Sequence, residues 1–241
     1  MRTIVVIPCL DEEKTVADVV SKASRFADMC IVADDNSKDG TVKVARSVGA
    51  YVVGHNGAKG AGVNTKVGIK TALVFGADVV VTLDGDGQHN PEELSHVVKP
   101  ITDGEADVVV GSRFLNAHSL PRYRKFGIDV ITWLYNVGCK NKISDGQSCF
   151  RAYSREALKV IMPMRENGFS FSVETLIKAR STGCRITEVP ISCVYHKDYK
   201  QNSSLNPMVH GLSVVWGVVR WRMKIEMMSK IRRLIGKKDC K

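Results

Sequence analysis

The run Val79-Val80-Val81-Thr82-Leu83 has the β-branched, apolar character of a buried strand, and it breaks off into Asp84-Gly85-Asp86-Gly87-Gln88. The same event occurs at three other places. Residues 3–7 run into Pro8-Cys9-Leu10-Asp11-Glu12, residues 29–33 into Asp34-Asp35-Asn36-Ser37-Lys38-Asp39-Gly40-Thr41, and residues 107–110 into Gly111-Ser112-Arg113. Between these runs lie segments of helical period. Asp11 is expected to cap a helix reaching about residue 27, with Val16, Val19, Val20 and Ala23 on its inner face. Further helices are expected over 41–48 and 63–75, and one is opened by Asn90-Pro91-Glu92-Glu93; residues 51–53 add a short strand. Repeated strand–helix–strand units imply an α/β fold with a mainly parallel sheet and helices on both faces. In such sheets ligands bind beyond the carboxyl ends of the strands, which is where all four polar clusters fall.

The second half is less regular. Helices are expected over 126–137, 155–161 and 171–181, a strand over 185–189 cut short by Pro190, and a polar loop over 196–206. The 241 residues suffice for one large domain with a sizeable core. Seven scattered cysteines without a Cys-x-x-Cys pair argue against a disulfide framework or a zinc site and for a reducing compartment. No signal peptide is expected, and the longest apolar run near the C-terminus, 212–219, falls far short of the ~20 residues of a spanning helix.

Two carboxylates two residues apart would face the same side if strand geometry persisted through Asp84 and Asp86. Hard oxygen donors in that position suit a divalent cation that takes its remaining ligands from substrate phosphates. The plainer alternative is a turn, because Asp-Gly is common in hairpins. Asp34 and the 8–12 cluster offer acceptors for a base edge and ribose hydroxyls, and they are equally ordinary as caps or turns. Four such clusters at four strand ends favour a site over four independent turns.

The order of these motifs resembles the family 2 glycosyltransferases, and within them the polyprenyl-phosphate (dolichyl-phosphate) sugar synthase group. The resemblance continues through Asp145-Gly146-Gln147-Ser148-Cys149-Phe150-Arg151-Ala152-Tyr153 and Glu188-Val189-Pro190-Ile191, then fades after about Asn206. It implies a GT-A fold, a nucleoside-diphosphate sugar donor, and Mg²⁺ or Mn²⁺. By that resemblance Pro8, Leu10, Glu12, Val32 and Asp34 hold the donor's base and ribose. Asp84, Gly85, Asp86 and Gln88 form the metal–diphosphate site, with Asp86 and Gln88 the foremost metal ligands. Arg113 binds phosphate, Arg124 (with Arg122 as the alternative) faces the acceptor phosphate, and Asp145 assists or orients the attacking group. The chain departs from the family at Cys149, where glycine is usual, and near His196, where an arginine is usual; Lys197 or Lys200 is the substitute considered there.

The implied reaction is an inverting transfer of a sugar, from UDP in preference to GDP, onto dolichyl or polyprenyl phosphate. The alternatives are a protein or polysaccharide acceptor, and a non-catalytic nucleotide-sugar-binding or scaffold protein. The division expected is a catalytic domain over 1–206 and a basic amphipathic helical tail over 207–241. Of the net charge of +10, the tail carries +7, from nine basic and two acidic residues. Its apolar residues recur at spacings of three and four, with Trp216 and Trp221 among them. That pattern suits the surface of an anionic membrane, so a cytoplasmic enzyme attached peripherally to a membrane's cytoplasmic face is expected. The rival for the tail is packing on the core or at a dimer interface. Nucleic-acid binding is not expected, and a homo-oligomer is left open.

Overall fold

The computed structural model describes residues 1–57, 59–115, 122–139, 141–194, 214–224 and 227. In chain order the elements are β1 (Thr3–Cys9), α1 (Val16–Ala23), β2 (Met29–Asp34), α2 (Thr41–Ser47), β3 (Tyr51–Gly54), α3 (Ala61–Val74) and β4 (Val79–Thr82). A single 3-10 turn, Pro91–Glu93, leads into α4 (Leu94–Thr102); there follow β5 (Val108–Ser112), α5 (Arg122–Asn136), β6 (Arg151–Ser154), α6 (Arg155–Ile161), α7 (Phe171–Ser181) and β7 (Ile186–Pro190). Residues 214–224 form a further helix, α8.

The seven strands make one sheet in the order β3-β2-β1-β4-β6-β5-β7. Every neighbouring pair is parallel except those made by β6, which runs antiparallel to both β4 and β5. The sheet is therefore mixed and mainly parallel, as expected. Successive side chains of each strand enter opposite layers. Ile4 and Val6 of β1 pack with α3, α5, α6 and α7, whereas Val5, Ile7 and Cys9 pack with α1, α2 and α4. The connection from β1 leads to one side of it and the strand reached after β3 lies on the other, so β1 and β4 flank a topological switch point.

Three sequence expectations need correction. Asp11 does not cap α1: it adopts a left-handed backbone (φ 57°), its carboxylate accepts the Lys38 N–H at 2.6 Å, and α1 begins only at Val16. Strand geometry stops at Thr82, so Asp84 and Asp86 meet through a turn, in which Gly87 takes φ 73°, rather than along a strand. Asn90 does cap its segment, accepting the Glu92 N–H at 3.1 Å, but the first turn there is 3-10. β6 was not expected from the sequence.

The layers meet most closely at α3. A Cβ on Gly68 would stand 2.2 Å from Val6 Cγ1 and 3.4 Å from the Ala33 Cβ. Gly68→Val is accordingly expected to destabilise the fold by about 3 kcal/mol in urea unfolding. Gly127 of α5, with nothing within 4 Å of its Cβ position, is the control. There, Gly127→Ala is expected to be neutral or to stabilise by up to about 1 kcal/mol.

α8 is packed on the body. Val214, Val218 and Trp221 are buried in the same layer as α5 and α7, and the Trp221 indole N–H donates to Glu166 at 2.8 Å. Arg222 donates to the Leu134 carbonyl at 2.6 Å, fixing α8 against the end of α5. The opposite side of α8 remains exposed, at Trp216 and Met223. No helix among the described residues is long and apolar enough to cross a membrane.

Candidate active site

All strands but β6 point the same way, so Cys9, Asp34, Thr82 and Ser112 end at one edge of the sheet. The loops after β1 and β2 are tied together. Ser37 Oγ accepts the Asp11 N–H at 2.9 Å, Thr41 Oγ1 accepts the Glu12 N–H at 2.8 Å, and the Cys9 carbonyl accepts the Asp35 N–H at 3.0 Å. Much of the polar segment 36–41 is thus consumed in holding these loops. Asp34 is different: one carboxylate oxygen accepts the Ser37 N–H at 3.1 Å, while Oδ1 is buried with no hydrogen-bond partner. Beside it, Asp35 Oδ2 accepts the Gly60 N–H at 2.8 Å, and Asp35 Oδ1 lies 3.4 Å from His55 Nε2. His55 Nε2 also meets Asn64 Oδ1 at 2.8 Å, a cluster the sequence did not single out.

The loop after β4 crosses close over β1: a Cβ on Gly85 would lie 2.5 Å from Cys9 Sγ. This approach brings Glu12 within electrostatic range of Asp84 and Asp86. Burial, then the Asp86 charge, raises the Glu12 carboxyl to about 7. Asp84 is likewise raised to about 7, by desolvation and then by Asp86, even though 37% of its side chain still meets solvent. The Asp86 carboxylate accepts the Gln88 N–H at 2.9 Å, which closes the turn. Mutual repulsion of three carboxylates is what a bound cation relieves. Among the described residues no group of three or more His, Cys, Asp and Glu forms a metal cage. One or two carboxylates completed by substrate phosphate oxygens is the arrangement Mg²⁺ favours, so the residues fit.

Arg113 lies within electrostatic range of Asp84. Arg113 grips Asp145 in a bidentate pair, Nε to Oδ2 at 2.7 Å and Nη2 to Oδ1 at 2.9 Å. Asp145 is fully buried and also accepts the N–H groups of Gln147 at 3.1 Å and Ser148 at 3.0 Å. Burial alone would raise its pKa, but Arg113 and these N–H groups outweigh it and hold the carboxyl below its usual range. Arg151 lies 1% exposed beneath, donating to the carbonyls of Gly146 at 3.0 Å and Ser172 at 2.5 Å. Its charge and that of Arg113 offset part of the upward pressure on Asp84.

His89 sits buried on the Phe150 ring, its Nδ1 3.8 Å from Asp84, and burial followed by the Arg113 charge lowers its pKa to about 4. The Cys149 thiol reaches Asp84, so the residue standing where the family has glycine lies against the carboxylate cluster.

The structure therefore brings Pro8, Glu12, Asp34, Asp84, Gly85, Asp86, Gln88, Arg113 and Asp145 to one edge of the sheet. Leu10 is 41% exposed at the same edge, whereas Val32 is wholly buried in the layer beneath. Arg124 and Arg122 lie in the first turn of α5, but their side chains fall outside the described residues, as do His196, Lys197 and Lys200. Residues 207–213 and nearly all of 225–241 fall outside them too.

Comparison with known proteins gives consistent results. The chain is 31% identical over 243 residues to a UDP-N-acetylglucosamine–dolichyl-phosphate N-acetylglucosaminyltransferase of Methanococcus voltae, covering 90% of this chain and 95% of that one. It is 28% identical to a polyprenol monophosphomannose synthase of Mycolicibacterium smegmatis, covering 79% and 77%. Its fold matches a crystal structure of glucosyl-3-phosphoglycerate synthase from Mycobacterium tuberculosis with Mn²⁺, UDP and phosphoglyceric acid. The TM-score is 0.71 at 21% identity, over 93% of this chain and 78% of that one. The sequence model described as Glycosyl transferase family 2 matches residues 4–162, and the chain belongs to that family of glycosyltransferases.

Proposed function

We propose that this enzyme transfers a sugar from a uridine diphosphate donor to a polyprenyl phosphate at a membrane surface, with inversion at the anomeric carbon. The observation that carries the reading is the gathering of Glu12, Asp84 and Asp86 at the carboxyl edge of the sheet, with the Arg113–Asp145 pair close enough for the Arg113 charge to act on Asp84. A diphosphate with its cation is complementary to the carboxylates through the cation and to the arginine through its phosphate oxygens. Asp86 and Gln88, with Asp84 beside them, would hold Mg²⁺ or Mn²⁺, which supplies Lewis-acid stabilisation of the leaving diphosphate when bound. Arg113 adds preorganised positive charge where the leaving group becomes more negative. An acceptor-phosphate oxygen bonds to the anomeric carbon as the bond to the diphosphate breaks, and UDP departs. The acceptor is already an anion, so no strong general base is needed. Asp145, with both oxygens engaged, is a holder of Arg113 rather than a proton acceptor.

The preference for uridine rests on Asp34, which has one buried oxygen without a partner. A single acceptor suits the lone imide N–H of uracil, whereas guanine presents two adjacent donors on its pairing edge. Calorimetry with Mn²⁺ is expected to find UDP binding at least about tenfold more tightly than GDP. Equal or tighter GDP binding would contradict the assignment. The named donor of the Methanococcus relative is also a uridine nucleotide.

Membrane attachment is supported by two exposed apolar stripes. α8 exposes Trp216 and Met223, with Met227 beyond it, and α5 exposes Phe126 and Trp133, with Val137 just past its end. The Arg222 contact joins α8 to the end of α5, and Arg124 lies on the same α5. Trp216→Ser, Met223→Ser and Met227→Ser together spare the buried face of α8. In flotation with anionic vesicles they are expected to cut the bound fraction about tenfold or more. Equal flotation of native and variant protein would remove this part of the proposal.

A further inference from the structure

The turn that carries Asp145 is anchored from a strand the reaction does not otherwise involve. Glu188 stands in the middle of β7, opposite Val110 of β5. Its carboxylate accepts the Ser144 N–H at 2.7 Å, the Ser144 hydroxyl at 3.0 Å and the Asp145 N–H at 3.0 Å. Because the Ser144 hydroxyl proton is directed at Glu188, the 2.6 Å contact between the Ser112 and Ser144 hydroxyls has a defined sense: Ser112 donates and Ser144 accepts. Ser112 Oγ in turn accepts the Phe114 N–H at 3.2 Å. One carboxylate thus fixes both flanks of the pair. On one flank is the turn that presents Asp145, and on the other the backbone either side of Arg113.

We infer that Glu188 is a positioning residue for the diphosphate-binding arginine, acting on Arg113 through Ser144 and Asp145. The inference rests on the proposed role of Arg113 at the donor diphosphate. The physical reason is preorganisation. A guanidinium fork has value at a phosphate only when its plane is already set, and Asp145 can set that plane only if its own turn is held. Three donors converge on Glu188, so an acceptor is required at both of its oxygens. Glutamine has the same shape, but its amide NH₂ would face at least one of those donors whichever way it is turned.

Glu188→Gln, Arg113→Ala and the double variant are compared by calorimetry with UDP and with GDP in the presence of Mn²⁺, with melting temperatures recorded for each. Glu188→Gln is expected to weaken binding of the preferred nucleotide about tenfold in the native background and to have no further effect in the Arg113→Ala background. Ser144→Ala keeps both backbone contacts and removes only the hydroxyl link, so it is expected to give a smaller loss that also vanishes on Arg113→Ala. It carries the test if Glu188→Gln does not fold. A loss that persists undiminished on Arg113→Ala, or no loss in either variant, overturns the inference while leaving the donor site intact. Failure of the native chain to bind either nucleotide overturns the donor-site reading, and the inference with it.

Discussion

Asp86→Ala is expected to reduce sugar transfer by about 10³-fold or more while leaving the melting temperature within a few degrees of native. The two halves of this expectation have different causes. Turnover is lost because Asp86 is the carboxylate assigned to the cation, and lies where it also perturbs both Glu12 and Asp84. Stability is largely spared, since the loss of contacts such as that to the Gln88 N–H is offset by relief of the like-charge repulsion with Glu12 and Asp84. The two remaining carboxyls should then titrate closer to their ordinary range. Turnover that survives in this variant and still requires a divalent cation would mean that the cation is held elsewhere.

Asp145→Asn is the second large effect, and it acts on both stability and rate. The substitution keeps the shape of the side chain but removes the carboxylate charge paired with Arg113, whose side chain is only 12% exposed. Breaking a buried pair from one side is expected to destabilise the fold by about 3 kcal/mol. Turnover should fall by about 10²-fold, because the arginine is no longer aimed. Replacing both members, Arg113→Met with Asp145→Leu, removes the unbalanced charge but leaves the Gln147 and Ser148 N–H groups without this acceptor, so it should recover only part of the stability and none of the activity. Recovery of activity in the double variant would show that the pair is structural only. Full stability in Asp145→Asn would show that the charge of Asp145 is not needed where the structure puts it.

The parts of the fold legible in the sequence were those written in local periodicity. α6 and α7 lie at the expected residues, and the β1, β2 and β4 runs are continuous because both faces of the sheet are covered. β6 escaped because its four residues, Arg-Ala-Tyr-Ser, pair a polar composition with deep burial, and the reason is tertiary: Arg151 finds acceptors on the turn at Gly146 and on α7. The Asp11 cap failed because that residue was taken into a left-handed turn by Lys38, 27 residues away. The site showed the same division. Each cluster could be read from its place at a strand end, but the partnership of Arg113 with Asp145 spans 32 residues and that of Glu188 with Asp145 spans 43. No spacing rule reaches that far. The tail's period was visible, yet period alone does not say which apolar face turns inward; packing chose Val214, Val218 and Trp221.

The proposed reaction is the passage of sugar from a nucleotide to a lipid phosphate. It is tested most directly by incubating the full chain with polyprenyl phosphate in vesicles and a panel of radiolabelled UDP- and GDP-sugars, then counting the organic-soluble fraction with and without EDTA. Label is expected in the lipid phase from a UDP-sugar, abolished by EDTA and restored by Mn²⁺ or Mg²⁺. Label appearing in the lipid phase from no donor would contradict it.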